Sequence, residues 1–312
     1  MALLARKITL IGKTESSYGV DSSPSGSANA ILVRELEITP LEVDEVERTL
    51  VRAYLGNYET LLGAQRATMT FSIELAGSGA AGTANQGLSV FLKACGFSET
   101  VNSGTSVVYA PVSSAFSSAT IGVNLDGTNH QLTGARGTFS INCSLNEVPT
   151  VDFEFTGKYN NPAAATQPTQ TYQNQADPVL FKSGNTSAFQ YMGNAAALEA
   201  WSLDLNNEVV HRKLVGGTEE VMITDRKPSG TLTIEAPALG SFNYWTKATS
   251  EVTGNNTFQH GQTAGNIVTI SAPYSSMGAP TYGDSDGVIT LESSFTCSPS
   301  GAGNNELTLT FT

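Results

Sequence analysis

Three histidines, three cysteines and a scatter of carboxylates are the residues of this chain that could do chemistry, and their spacing argues against most of it. His130, His211 and His260 lie far apart, two of them in loop-like settings, and none has a second ligand at metal-site spacing. No Gly-x-Ser-x-Gly elbow stands between a strand and a helix, and no phosphate-binding loop or dinucleotide fingerprint occurs. Gly77-Ser-Gly79 and Gly82 are glycine-rich without the longer pattern that phosphate recognition needs, so they read as a flexible turn. Asp284 and Asp286 flank Ser285 before Gly287, which is an acidic turn, because the twelve-residue calcium-loop pattern is missing. Sugar cleavage would need two carboxylates converging in a cleft. Glu74, Glu154, Glu235 and Glu292 recur instead on the polar faces of predicted strands, which points to a property of a surface. No catalytic residue, metal or cofactor is expected.

The chain of 312 residues holds 28 acidic and 16 basic side chains, a formal charge of -12 that both halves share. A module that grips phosphates clusters Lys and Arg. This balance excludes one, although it suits a surface built to repel nucleic acid. Cys95, Cys143 and Cys297 are odd in number and widely spaced, so buried reduced thiols and assembly in a reducing cytoplasm are expected. The apolar run Ala2 to Ala5 is too short for a secretory leader, and no run approaches the length of a membrane span.

The elements that must position these residues are mainly strands. Phe71, Ile73 and Leu75 alternate with Thr70, Ser72 and Glu74, and Trp201, Leu203 and Leu205 with Ser202 and Asp204. Period two marks a half-buried strand. Leu88, Phe91, Leu92 and Cys95 are spaced for one side of a helix that Gly96 ends. A second helix is expected over 238–248, with Phe242 and Trp245 facing inward.

Several stretches look like variants of one plan. Tyr109-Ala-Pro-Val-Ser-Ser114 is matched by Ser271-Ala-Pro-Tyr-Ser-Ser276, Met69 to Leu75 by Thr231 to Ala236, and Val151 to Thr156 by Leu307 to Thr312. The same plan pairs the strand around 106–109 with that around 267–270, and the strand over 137–143 with that over 288–297. Two tandem β-sandwich or barrel domains, 1–157 and 185–312, are therefore expected, each with one flanking α-helix and extended loops. Residues 158–184, with Pro162, Pro168 and Pro178, read as an extended linker. Residues 42–66 are charged and only partly apolar, and suit a hairpin projecting from the first domain; 208–227 is a shorter passage of the same kind.

Glu15-Ser-Ser-Tyr-Gly-Val20, Glu74-Leu-Ala-Gly-Ser-Gly79 and the run GLSVFLKACG from Gly87 to Gly96 resemble, in this order, the major tail tube proteins of long-tailed bacteriophages. The resemblance covers the first domain well and the second more loosely. It implies a structural subunit of the virion tail, assembled in the host cytoplasm into stacked rings around a channel for double-stranded DNA. It also implies tape measure, tail tip and tail terminator proteins as partners. Most members contribute one domain to a six-subunit ring, so two domains per chain imply homotrimeric, pseudo-hexameric rings. On that reading Glu74, Asp152, Glu154, Glu235 and Glu292 are candidates to face the channel. Glu42, Asp44, Glu45, Glu47, Arg48, Arg52 and Arg66 are candidates to contact the next ring. A receptor-binding or decorative tail protein is the alternative.

Overall fold

In the computed structural model, which describes residues 3–250 and 252–312, the first half begins with β1 (Ile8–Thr14), the one-turn helix α1 (Gly26–Asn29) and the short β2 (Ala30–Ile31). A long hairpin follows, β3 (Arg34–Val46) and β4 (Leu61–Glu74), and then helix α2 (Gln86–Ala94). The hairpin β5 (Phe97–Asn102) and β6 (Ser106–Pro111) leads to β7 (Ala119–Leu125), β8 (Thr128–Ser144) and β9 (Thr150–Tyr159). A connector with the short β10 (Ala163–Ala164) reaches β11 (Thr186–Tyr191), β12 (Asn194–Ala195) and β13 (Leu198–Asp204). The remaining elements are the hairpin β14 (Asn207–Arg212) and β15 (Glu220–Arg226), β16 (Ser229–Glu235), α3 (Tyr244–Thr249), β17 (Gly254–His260), β18 (Val268–Met277), β19 (Thr281–Ser285), β20 (Val288–Cys297) and β21 (Thr308–Phe311).

One long antiparallel sheet runs in the order β3-β4-β9-β8-β13-β16-β20-β19, so strands of both halves belong to it. The halves meet where Ala200 to Asp204 pair with Ser144 to Ser140. They meet again on the other side of the core, where β21 lies between β6 and β18. Alternation drives this arrangement: Phe71, Phe139, Phe153, Trp201, Leu232 and Phe295 are all buried on the sheet's inner face. Phe91 of α2 reaches down among Phe71, Phe153 and Phe155, with ring centroids 4.7 to 5.5 Å apart. The helix is capped by Asn85, whose side chain accepts from the backbone N–H groups of Gly87 and Leu88. It ends at Gly96, whose φ of +87° a residue with a Cβ adopts at a cost.

The pairings recur in chain order. β1–β2, β1–β7, β7–β8, β8–β9, β9–β4 and β4–β3 of the first half have counterparts in the second. These are β11–β12, β11–β17, β17–β18, the pairing of β18 and β19 with β20, β20–β16 and β16–β13. Three sequence correspondences therefore change. The strand that occupies the place of β9 is β20, not the 307–312 segment, which pairs with β6 and β18 instead. The 137–143 stretch of β8 is matched by β19, not by the 288–297 strand. The 106–109 strand belongs to the β5–β6 hairpin, which has no counterpart, and 267–270 takes the place of the start of β8. Alternating strands resemble one another whatever their neighbours, which is how the sequence match arose.

The second helix also differs from expectation. It starts at Tyr244 behind the cap Asn243, and Tyr244 is buried while Trp245 is exposed. The connector lies against both halves: Gln175 donates to the carbonyl of Ala30 and accepts from the N–H of Leu32 in the first, and Phe181 is buried beside Phe258 of the second. All three cysteines are buried and unpaired with one another.

The β14–β15 hairpin, which forms its own two-stranded sheet, folds onto the first half. Asn207 donates to the carbonyls of Cys95 and Gly137, both at 2.8 Å, and Arg136 donates to Glu220 and to the carbonyl of Val221. Arg226 at its base donates to the carboxylate of Glu306 and to the carbonyl of Val112. Both members of the Arg226–Glu306 pair are nearly buried, with side-chain exposures of 12 and 6%. Removing one partner of a buried pair strands the other's charge. Arg226→Ala should therefore destabilise the chain by about 3–5 kcal/mol, read from the denaturant midpoint of unassembled protein.

Candidate functional site

The outward face of the long sheet gathers Glu74, Asp152, Glu154, Glu235 and Glu292. Opposite each buried alternation stands a polar one. The row Ser72, Asp152, Ser140, Asp204, Ser229 and Thr296 runs straight across six strands, each residue paired with the next. Glu154 stands opposite Thr70 and Thr138, Glu74 opposite Thr150, Glu292 opposite Thr233 and Thr281, and Glu235 opposite Thr290. Glu154, Asp204, Glu235 and Glu292 are exposed, and Glu74 and Asp152 are half-exposed. Asp204 was missed as an acidic candidate, although its alternation with Leu203 and Leu205 already placed it on this face.

Cations are nearly absent from this face. The stretches 68–74, 150–156, 137–144, 198–204, 229–235, 281–285 and 288–297 contain no Lys or Arg. Arg34 of β3 approaches the rim, and its guanidinium lies 3.8 Å from the Glu74 carboxylate. Between the acids the face is hydroxyl and amide: Asn142 donates to Asp152 at 2.6 Å, and Ser202 and Thr231 share a hydrogen bond of 2.8 Å. Such a surface offers a polyanion no countercharge, and its field repels phosphates. The acids lie spread along rows and are not opposed across a cleft, which suits a field and not a paired-carboxylate reaction.

The two outermost strands of the sheet are open edges. Among the described residues, β3 pairs only with β4, and β19 only with β20. An unpaired edge is a ready-made place for another chain to add.

The hairpin predicted over 42–66 is present, formed by the outer parts of β3 and β4 with residues 47–60 as its tip. Three of its charged residues pair within it. Arg66 donates to Glu42 at 2.8 Å and to Asp44 at 3.0 Å, and Thr68 donates to Glu42 at 2.7 Å. The Asp44 hydrogen bond is the main cause that raises the guanidinium's pKa, against a smaller opposing effect of desolvation. Arg52 stacks over Tyr54 and Tyr58 and donates to the carbonyl of Asn57, which folds the tip on itself. Glu45, Glu47 and Arg48 stand in solvent. What the hairpin presents most plainly is apolar: Leu41, Val46, Leu50, Val51, Leu55 and Leu62 are exposed.

The residues tested for chemistry have structural duties. His211 pairs with Glu219 at 2.9 Å, and His260 lies between Thr186 and the carbonyl of Val179. The Asp284 carboxylate accepts from the N–H of Gly287 in the turn between β19 and β20, where Asp286 and Gly287 have φ of +52° and +82°. Among the described residues, no three His, Cys, Asp or Glu side chains converge as a metal site requires.

One continuous acidic sheet face, open sheet edges and a projecting hairpin are features suited to a structural subunit. The model of the phage tail tube protein family matches residues 5–312, and the chain belongs to that family. No curated protein matches it. Its role is therefore structural and non-catalytic, in the tube of the virion tail.

Because Arg66 spends its charge within the hairpin at a partly solvated site, Arg66→Ala should lower the stability of the single chain by less than about 1 kcal/mol. A thermal melt with a loss well above that would place these ion pairs in a buried setting instead.

Proposed function

We propose that the chain is a duplicated tube subunit and that three copies form a pseudo-hexameric ring whose stacked repeats make the tail tube. The observation that carries this reading is the set of six strand pairings that occurs twice, within a sheet that is continuous across both halves and open at both ends. Domains 1–157 and 185–312, joined by 158–184, are the two tube units on this reading. Joining three such sheets edge to edge removes every open edge of the acidic layer.

The acidic face then lines the channel. Glu74, Asp152, Glu154, Glu235 and Glu292, with Asp204, keep double-stranded DNA centred by repulsion, so that it slides without being held. Tape measure, tail tip and tail terminator proteins are the partners of the tube on this reading. Assembly takes place in the host cytoplasm. The tip of the first hairpin contacts the adjoining ring, with exposed Glu45, Glu47 and Arg48 available for charge pairing and Leu50, Val51 and Leu55 for burial.

Axial electron micrographs of purified tubes, with mass measured per ring, test the subunit count. Three chains and six similar lobes are expected; six chains per ring would overturn the three-chain reading. Replacing Glu74, Glu154 and Glu235 together with Lys tests the lining. Ring dimensions should persist while genome ejection slows, most strongly at low salt, where screening is weakest. Ejection at the unmodified rate from tubes that contain the variant would place these glutamates elsewhere.

A further inference from the structure

The seam between the two halves is a finished joint, and the chain carries an unfinished copy of each of its sides. At the finished joint β13 lies along β8, and the hairpin that follows β13 folds over the first half, burying Val221 and Ile223 to 0 and 8% exposure. Ile223 reaches the C-terminal end of α2, against Gly96. The recurring pairings put β19 in the place of the second part of β8, and β3 in the place of β13. Among the described residues, neither of these strands has a partner on its far side.

The side chains around them are unfinished in the same way. Counting back twelve residues from Glu235 reaches Ile223, and from its counterpart Glu74 reaches Leu62. Leu62 is 64% exposed where Ile223 is buried. On the other side, Trp245 of α3 and Tyr282 of β19 pack edge to face at 5.6 Å, and both remain open to solvent beside the unpaired edge. The two hairpins depart from a regular ladder at equivalent positions: β13 gives way at Leu205–Asn206, and β3 shifts register around Pro40, which has no N–H to donate.

We propose that β19 of one copy pairs antiparallel with β3 of a second copy of this chain, whose hairpin folds over the first copy's Trp245–Tyr282 cluster. The two surfaces differ, so the contact is head-to-tail and generates a ring where the rotation closes. The in-chain seam sets the register. Ser140 stands opposite Asp204, Asp204 opposite Ser229, and the counterpart of Ser229 is Thr68, which pairs with Thr39. Since Thr281 holds the place of Ser140, Thr281 of one copy stands opposite Thr39 of the next, both on the acidic face. Tyr282 stands opposite Ile38 on the face that is buried. The interface rests on the tube reading and names the surfaces that close its ring.

A thiol cross-link reads the register. In the double variant Thr39→Cys with Thr281→Cys, a short bis-maleimide should link assembled chains into a ladder that ends at three on a denaturing gel. The pair Ile38→Cys with Thr281→Cys should not link, because a slip of one residue sends the side chain to the opposite face. The native cysteines are buried, and burial raises the pKa of each thiol, to about 12 for Cys297, so they do not compete. Assembled rings without a ladder, an equal ladder in the slipped pair, or a ladder running past three would each overturn the joint. Micrographs of the same particles count the chains independently: three-chain rings without a cross-link overturn the interface alone, whereas six-chain rings overturn the three-chain reading beneath it. Leu62→Asp supplies a second readout. It should abolish ring formation while the circular dichroism of the single chain stays native, and undiminished rings would remove the hairpin from the interface.

Discussion

Everything in this molecule depends on five residue pairs between β8 and β13 that turn two half-sheets into one. Without them each half would expose a strand edge and an apolar flank, Ile141 and Cys143 on one side and Trp201 and Leu203 on the other. With them, the polar alternation of six strands falls into register, and acids far apart in the chain share a surface. The electrostatic property of that face is thus a consequence of backbone pairing. A shift of one residue at the joint would turn Asp204 inward and Leu203 outward.

The sheet layer holds the acids, and the opposite layer holds the closure. β21 is wedged between β6 and β18, with Phe311 edge-on to Tyr109 at 5.6 Å, so the two halves are tied on both sides of a common core. The β14–β15 hairpin adds a third tie through Asn207, Arg136 and Arg226. Three independent ties leave little freedom for one half to rotate against the other.

Much of this was legible in the residues. Period-two alternation located β4, β9, β13 and β16, and put Glu74, Asp152, Glu154, Glu235 and Glu292 on polar faces, because burial on one side leaves only the other for charge. The spacing of Leu88, Phe91 and Leu92 located α2. Strand partnership was not legible: the 307–312 strand alternates as β9 does, yet partnership is decided by neighbours that alternation does not encode. Trp245 is expected inward beside Phe242 on a helix over 238–248, whereas the helix starts at Tyr244 behind the cap Asn243 and Tyr244 is buried instead. The charges of 42–66 drew attention as contacts for a partner, but Arg66 lies opposite Glu42 in the hairpin register and binds it there. Sequence spacing could not anticipate that pairing, because bulges at three points shift the hairpin's register.

The placement of β21 has a kinetic consequence. Val107 is paired with Phe311, so the β5–β6 hairpin acquires its neighbour only after some two hundred intervening residues have been made and ordered. Contacts of that sequence separation are slow to form. Until they do, β6 and β18 remain open edges on a chain that is already rich in sticky strands. A cell making this protein in quantity therefore faces a window in which nearly finished chains can pair wrongly. The insertion of one four-residue strand ends it.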